Sequence, residues 1–184
     1  MQNDRKRFLE ILRSKSYEKR KVILSSGRES DFYIDCKQAT LDAEGAMLTG
    51  RLFCEMLERD GMPEAVGGIT LGADPIVTAI ALTSALRKHP IPAFIIRKEP
   101  KKHGTAQWLE GTRNLSPGMK VAIVEDVVTT GASTLRAIER AQGFGLVVSR
   151  VLCIVDRNEG GADALAEQGF RLESMYSRKE IEDG

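Results

Sequence analysis

Residues 120–141, KVAIVEDVVTTGASTLRAIERA, constrain the fold more than any other stretch of the chain. Val121, Ala122, Ile123 and Val124 form a β-branched-rich apolar run that ends at Glu125 and Asp126. A run without polar alternation suits a parallel strand covered on both faces. Carboxylates at the carboxyl end of such a strand lie where open α/β sheets hold their ligands. Thr129, Thr130, Gly131, Ala132, Ser133 and Thr134 follow, offering backbone N–H groups, hydroxyls and one conformationally free glycine before a helix expected from Leu135 onward. Unpaired donors at a helix N-terminus bind phosphate, and the two acids could then hold the hydroxyls of an attached sugar, or a metal through them. A competing reading is a buried strand and an ordinary helix capped by Ser or Thr, with solvated acids. The loop lacks the GK[ST] ending of a Walker A motif and is not a GxGxxG fingerprint.

The string VAIVEDVVTTGAST closely resembles the phosphoribosyl-pyrophosphate signature of the type I phosphoribosyltransferases. That resemblance implies an open, mainly parallel α/β sheet flanked by helices, with an N-terminal hood and a mobile catalytic loop. It also implies that Glu125 and Asp126 take the ribose hydroxyls, and that Val127, Val128, Thr129, Thr130, Gly131, Ala132 and Ser133 complete the 5′-phosphate site.

The remainder of the chain narrows the class. Its 184 residues suffice for one domain that buries most of its apolar surface without disulfides or a structural metal. Charged residues make up 29% of it but the formal net charge is only +1, so no global basic field draws nucleic acid, and any anion site is local. Cys36, Cys54 and Cys153 are odd in number and form no CxxC pair, which argues against a zinc site or a secreted disulfide framework and for reduced thiols in the cytoplasm. The start MQNDRKRFLEILRSK has no apolar signal region. No segment reaches the ~20 apolar residues of a membrane span.

Taken in order, residues 4–14 read as an amphipathic helix with Phe8, Leu9, Ile11 and Leu12 on one side. VILSSGRESDFYIDCKQATLD reads as strand, turn, strand, and a plain hairpin satisfies that pattern. Residues 42–60 form a core helix with Asp42 as N-cap, and Ala65–Ile69 a strand running into GGITLGADP. That second glycine-bearing loop, before a helix with Pro75 in its first turn, is either an ordinary strand-to-helix turn or a second anion loop. Residues 92–97 give another strand, after which KEPKKHGTAQWLEGTRNLSPGMK shows no period and an exposed-looking Trp108. Long aperiodic loops are functional lids or solvated charge runs. Residues 146–155 form a further strand leading to Arg157, whose planar fork suits a carboxylate or imide edge or could equally pair with Glu159. A short helix over 162–168 and a strand over 170–176 complete the alternation, which predicts an open, largely parallel sheet.

Three of these segments resemble one branch of the family, the orotate phosphoribosyltransferases: LSSGRESDFYID their hood, RKEPKKHG their catalytic loop, and VDRNEGG their base-recognition segment. The resemblance implies a hood of about residues 1–40 and a mobile loop of about 98–112. It implies catalytic roles for Lys101, His103 and Asp126, and a pyrophosphate loop of Leu71, Gly72, Ala73 and Asp74. Arg97, Lys98, Lys101 and His103 would bind 5-phosphoribosyl 1-pyrophosphate from the lid, and Thr129 and Arg157 would bind orotate. Magnesium held mainly through the substrate, a homodimer with shared active sites, and a place in pyrimidine nucleotide synthesis are further implications. Some members carry lysines where this chain has Ser25 and Ala73, and those charge contacts are lost here. Two rivals stand beside this reading: a transferase of the same fold for another base, and a non-enzymatic regulator that senses phosphoribosyl pyrophosphate and binds nucleic acid.

Overall fold

The structure, a computed structural model, describes residues 2–23, 29–100 and 108–183. Its centre is a six-stranded sheet in the order β5-β4-β3-β6-β7-β8. β3 (Ala65–Ile69), β4 (Ala93–Ile96), β6 (Lys120–Val128), β7 (Val147–Asp156) and β8 (Leu172–Ser177) are parallel, and only the two-residue β5 (Leu109–Glu110) runs against its neighbour. Helices α3 (Ala43–Arg59), α4 (Asp74–Leu86), α5 (Ala132–Gly143) and α6 (Gly161–Glu167) fill the connections.

The β6 sequence explains its central place. Val121 and Ile123 point into one apolar cluster with Phe94, Ile138 and Val151, while Ala122 and Val124 point into another with Phe53, Ile80 and Leu152. Both sets are fully buried, so alternation of side chains between the faces still yields an unbroken apolar run. Truncating Ile123 to alanine would cost about 2–5 kcal/mol of stability.

The hood forms as expected in kind but with shifted bounds. Helix α1 (Gln2–Ile11) ends in a π-helical turn over Leu12–Ser16, and β1 (Tyr17–Ile23) begins well before the expected strand. It pairs antiparallel with β2 (Glu29–Ile34) in a separate two-stranded sheet with a bulge between Lys19 and Val22. Phe8, Ile11 and Leu12 seat the hood on the main core. A short α2 (Lys37–Thr40) then leads to α3, where Asp42 is the N-cap and accepts from the Gly45 N–H at 3.0 Å.

The far end of α3 is closed by a residue no local pattern marks. Arg150, inside β7 and nearly buried, donates to the carbonyls of Met56 and Leu57, each at 2.9 Å, and pairs with Glu173 at 2.6 Å. It thereby satisfies last-turn carbonyls that the helix leaves open. α7 (Arg178–Glu182) closes the described chain with a capping box between Ser177 and Glu180.

Candidate active site

The central strand differs from expectation in one respect: it does not stop at the acids. β6 continues to Val128, because Val127 and Val128 are themselves β-branched and β7 is long enough to pair with them up to Val128↔Asp156. Glu125 and Asp126 are strand residues and point to opposite faces. Glu125 is only 4% exposed, and its Oε2 has no hydrogen-bond partner among the described residues. Burial first, and then the Asp126 charge, raise its carboxyl well above the ordinary glutamate range, with the Ser133 hydroxyl acting in the opposite sense. Asp126 is half-buried, its Oδ1 accepting from the Val127 N–H at 2.9 Å.

Beyond β6 the chain turns through Thr129 and Thr130 into α5, which begins at Ala132 rather than Leu135. Its N-cap is Gly131 at φ 78°, with no side chain capping the first turn. The Ser- or Thr-capped helix of the competing reading is therefore not what forms. The left-handed conformation favours glycine, and so does the packing: a Cβ there would lie 3.0 Å from the Gly161 carbonyl oxygen. Gly161 in turn sits so close that its own Cβ would fall 2.7 Å from the Thr129 carbonyl oxygen. The Arg157 N–H donates to the Val128 carbonyl at 3.0 Å, which fixes the following segment beside this loop.

The second loop approaches from β3. Leu71 is exposed and Ala73 is buried in the core, so at position 73 the side chain turns away from solvent. The peptide between Thr70 and Leu71 is cis. Thr70 Oγ1 donates to Asp74 Oδ2 at 2.7 Å, and Asp74 Oδ1 is buried with no partner among the described residues. Gly72 lies against the acid of the first loop: a Cβ there would be 2.5 Å from Asp126 Oδ1. The two loops therefore meet at Asp126.

Arg97 and Lys98 border the same place. With Thr70, Asp74, Ile95, Glu99 and Glu110 they line a cleft of 420 Å³. Arg97 pairs with Glu110 at 2.9 Å and donates from Nε to the Glu99 carbonyl at 3.1 Å, and Lys98 is exposed. Lys101 and His103 lie outside the described residues, as does Ser25. Trp108 is not the exposed ring that the sequence suggests: it is half-buried, with the Arg140 guanidinium 3.9 Å from its centroid. Nor is the stretch after it shapeless, since β5 and a 3-10 turn over Thr112–Asn114 follow.

Arg157 is buried and makes the ion pair its position allowed, together with a bond to the hood. It pairs with Glu159 at 2.9 Å, and it donates from Nη2 to the Phe32 carbonyl of the hood at 3.1 Å. The guanidinium groups of Arg157 and Arg178 lie over the Phe32 ring, 5.1 and 5.0 Å from its centroid. Two polar residues near the acids of the two loops were missed by sequence reasoning. Thr70 is one, and its spacing of four from Asp74 was a readable signal. Lys37 is the other: it pairs with Asp35 at 2.5 Å, and Asp35 first, with Asp126 among the further charges, raises its ammonium above the usual lysine range.

No protein-family model matches the chain. It is 48% identical over 179 residues to the orotate phosphoribosyltransferase of Sorangium cellulosum, covering 97% of this chain and 93% of that protein. The crystal structure of the Mycobacterium tuberculosis orotate phosphoribosyltransferase superposes with a TM-score of 0.82 at 39% identity, covering 97% of this chain and 99% of that one. A structure of that enzyme in complex with 5-phospho-alpha-D-ribosyl 1-diphosphate gives 0.80 at 38% identity, covering 97% of this chain and 98% of that one. Taken with the sheet order and the two loops converging on Asp126, these likenesses mean that the chain belongs to the orotate phosphoribosyltransferases, the enzymes that transfer the phosphoribosyl group of 5-phosphoribosyl 1-pyrophosphate to orotate in pyrimidine biosynthesis.

Proposed function

We propose that the crevice around Asp126 is where this chain joins orotate to the phosphoribosyl group, giving orotidine 5′-monophosphate and pyrophosphate. The observation that supports this reading is the close approach of Gly72 to the Asp126 carboxylate, which brings the loop after β3 against the end of β6. A donor substrate with phosphate at one end of a ribose and pyrophosphate at the other fits that arrangement.

In this reading the Thr129–Ser133 loop and the first turn of α5 take the 5′-phosphate, and Asp126, with Glu125 behind it, takes the ribose hydroxyls. Leu71–Asp74 receive the pyrophosphate through backbone groups, with Arg97, Lys98, Lys101 and His103 around it. Displacement at the anomeric carbon needs no covalent nucleophile. The protein's work is to hold the reacting atoms in line and to stabilise the charge that builds on the leaving pyrophosphate. Thr129 and Arg157 border the acceptor, and the Arg157 fork matches the ring carboxylate of orotate.

Magnesium suits this donor set. Among the described residues there is no cluster of three or more metal-ligating side chains, but this cation is commonly held by one or two carboxylates and substrate phosphates. Asp126 and Asp74 Oδ1, which has no partner among the described residues, are the oxygens that would hold it, through the substrate or water. When bound, it would neutralise part of the pyrophosphate charge.

A homodimer with shared sites, a single domain over 1–184 and a cytoplasmic setting complete the proposal. Exposed Leu41, Met47, Leu82 and Leu86 on α3, α4 and the turn before them supply apolar surface for a second copy. No helix among the described residues is long and apolar enough to cross a membrane. The test is orotate consumption with phosphoribosyl pyrophosphate, with and without magnesium, beside uracil and adenine as acceptors. Metal-dependent loss of orotate matched by pyrophosphate is expected. Consumption of another base instead would mean a transferase of the same fold with a different acceptor.

A further inference from the structure

One arginine outside the crevice contacts the backbone of two residues that line it. Arg140 lies on α5, two turns beyond the helix start that faces the phosphate site. Its Nη1 donates to the Arg97 carbonyl at 2.7 Å, and its Nη2 reaches toward the Lys98 carbonyl at 3.4 Å. The flat face of the same guanidinium stacks on Trp108 at 3.9 Å from the ring centroid. The Arg97 N–H donates to the Trp108 carbonyl at 2.8 Å, closing a small ring of contacts. A single guanidinium thus grips the chain where it leaves β4 and again where it returns to β5.

Only a planar, five-donor cation can do both at once. Lysine would keep the charge but neither the fork nor the stacking face. Desolvation, and after it the Arg136 charge, lower the Arg140 pKa, so the site holds the cation against a cost. The residues it fixes are Arg97 and Lys98, the described cations of the 420 Å³ cleft that also contains Thr70 and Asp74. In the proposed reading of the crevice, α5 would serve both ends of the donor: its N-terminus the 5′-phosphate, and Arg140, by way of Arg97 and Lys98, the pyrophosphate.

We infer that Arg140 is a positioning residue for the pyrophosphate end of the donor, setting Arg97 and Lys98 toward the cleft and coupling them to the phosphate-binding helix. This rests on the proposed reading of the crevice. Trp108 is the chain's only tryptophan, so its fluorescence reports the Arg140 contact without interference.

The experiment combines kinetics with emission. R140M and R140K are compared with wild type for KM of phosphoribosyl pyrophosphate, KM of orotate, and the Trp108 emission change on adding inorganic pyrophosphate with magnesium. Loss of a charge-assisted hydrogen bond predicts about a tenfold rise in KM for the donor in R140M. Orotate KM should stay near wild type, R140K should recover only part of the loss, and the emission change should be lost in R140M. Thermal melting verifies that each variant is folded. Unchanged donor KM in folded R140M, or an equal rise for both substrates, overturns the inference. The emission change does not depend on the acceptor: if wild type ignores orotate but Trp108 still responds to pyrophosphate through Arg140, the acceptor reading fails and this inference stands.

Discussion

The loops after β6 and after β3 both lead from a parallel strand into a helix, yet they are built on different principles. The first is shaped by backbone against backbone: Gly131 at φ 78° and Gly161 allow the loop and the start of α6 to touch, and no side chain caps the first turn of α5. The second leans on the first. Gly72 presses on the Asp126 carboxylate, and Asp74 is held by Thr70. The consequence is that changes at the Gly131–Gly161 contact should register in folding, while changes at Gly72 should pass to Asp126 and register in chemistry.

The largest effect expected from breaking this arrangement comes from Asp126→Asn. If Asp126 takes the ribose hydroxyls as proposed, an amide in that place removes their charged acceptor, a loss of about 1.5–3 kcal/mol, or roughly ten- to a hundredfold in kcat/KM. The fold should persist, since the Val127 N–H can bond to the amide oxygen as it does to Oδ1. Wild-type turnover in the folded variant would remove Asp126 from the site.

How much of this was legible differs between the loops for the same physical reason. The β6 loop depends on local order: an apolar run, two acids, and Thr, Gly and Ser in succession. That is why its place at the end of a buried parallel strand could be read from residues 120–141. The β3 loop depends on what lies across the sheet. Nothing local says that Gly72 meets Asp126, that Ala73 turns into the core, or that Trp108 lies beneath Arg140. Strand length was misjudged because the acids looked like an ending, whereas pairing with β7 carries β6 past them. Arg150 escaped for a similar reason, since its partners on α3 are remote in sequence. Its neighbour in the next turn, Arg157, offered both a ligand and an ion-pair reading, and the fold supplies Glu159 and Phe32 as partners.

A smaller effect, read in stability, is expected from Gly131→Ala. A side chain in the left-handed region costs about 1–2 kcal/mol, and the contact with the Gly161 carbonyl adds to it. Denaturant unfolding should show that loss. An unchanged midpoint would mean the loop is not held by the glycine pair.

The smallest effect concerns Glu125 and shows in pH dependence rather than in size. Its folded-state carboxyl titrates well above its unfolded value, first because it is buried. From about pH 4, where an unfolded glutamate loses its proton, up to the folded value, the native state binds more protons than the unfolded one. Stability from this group therefore falls as pH rises across that window. Glu125→Gln has no proton to lose, so melting curves should show wild type losing ground to the variant as pH increases. A difference independent of pH would mean that Glu125 ionises normally in the crevice.

The most direct test of the claim that the two loops form one site through Asp126 is a double-mutant cycle on kcat/KM with Gly72→Ala and Asp126→Asn. A Cβ at position 72 must push the carboxylate away, since it would lie 2.5 Å from Oδ1. If Gly72 acts through Asp126, the double variant should be no worse than the poorer single variant, because the second change removes nothing that remains. If the two losses instead multiply in the double variant, the loops contribute independently and the β3 loop does not work through the acid of β6.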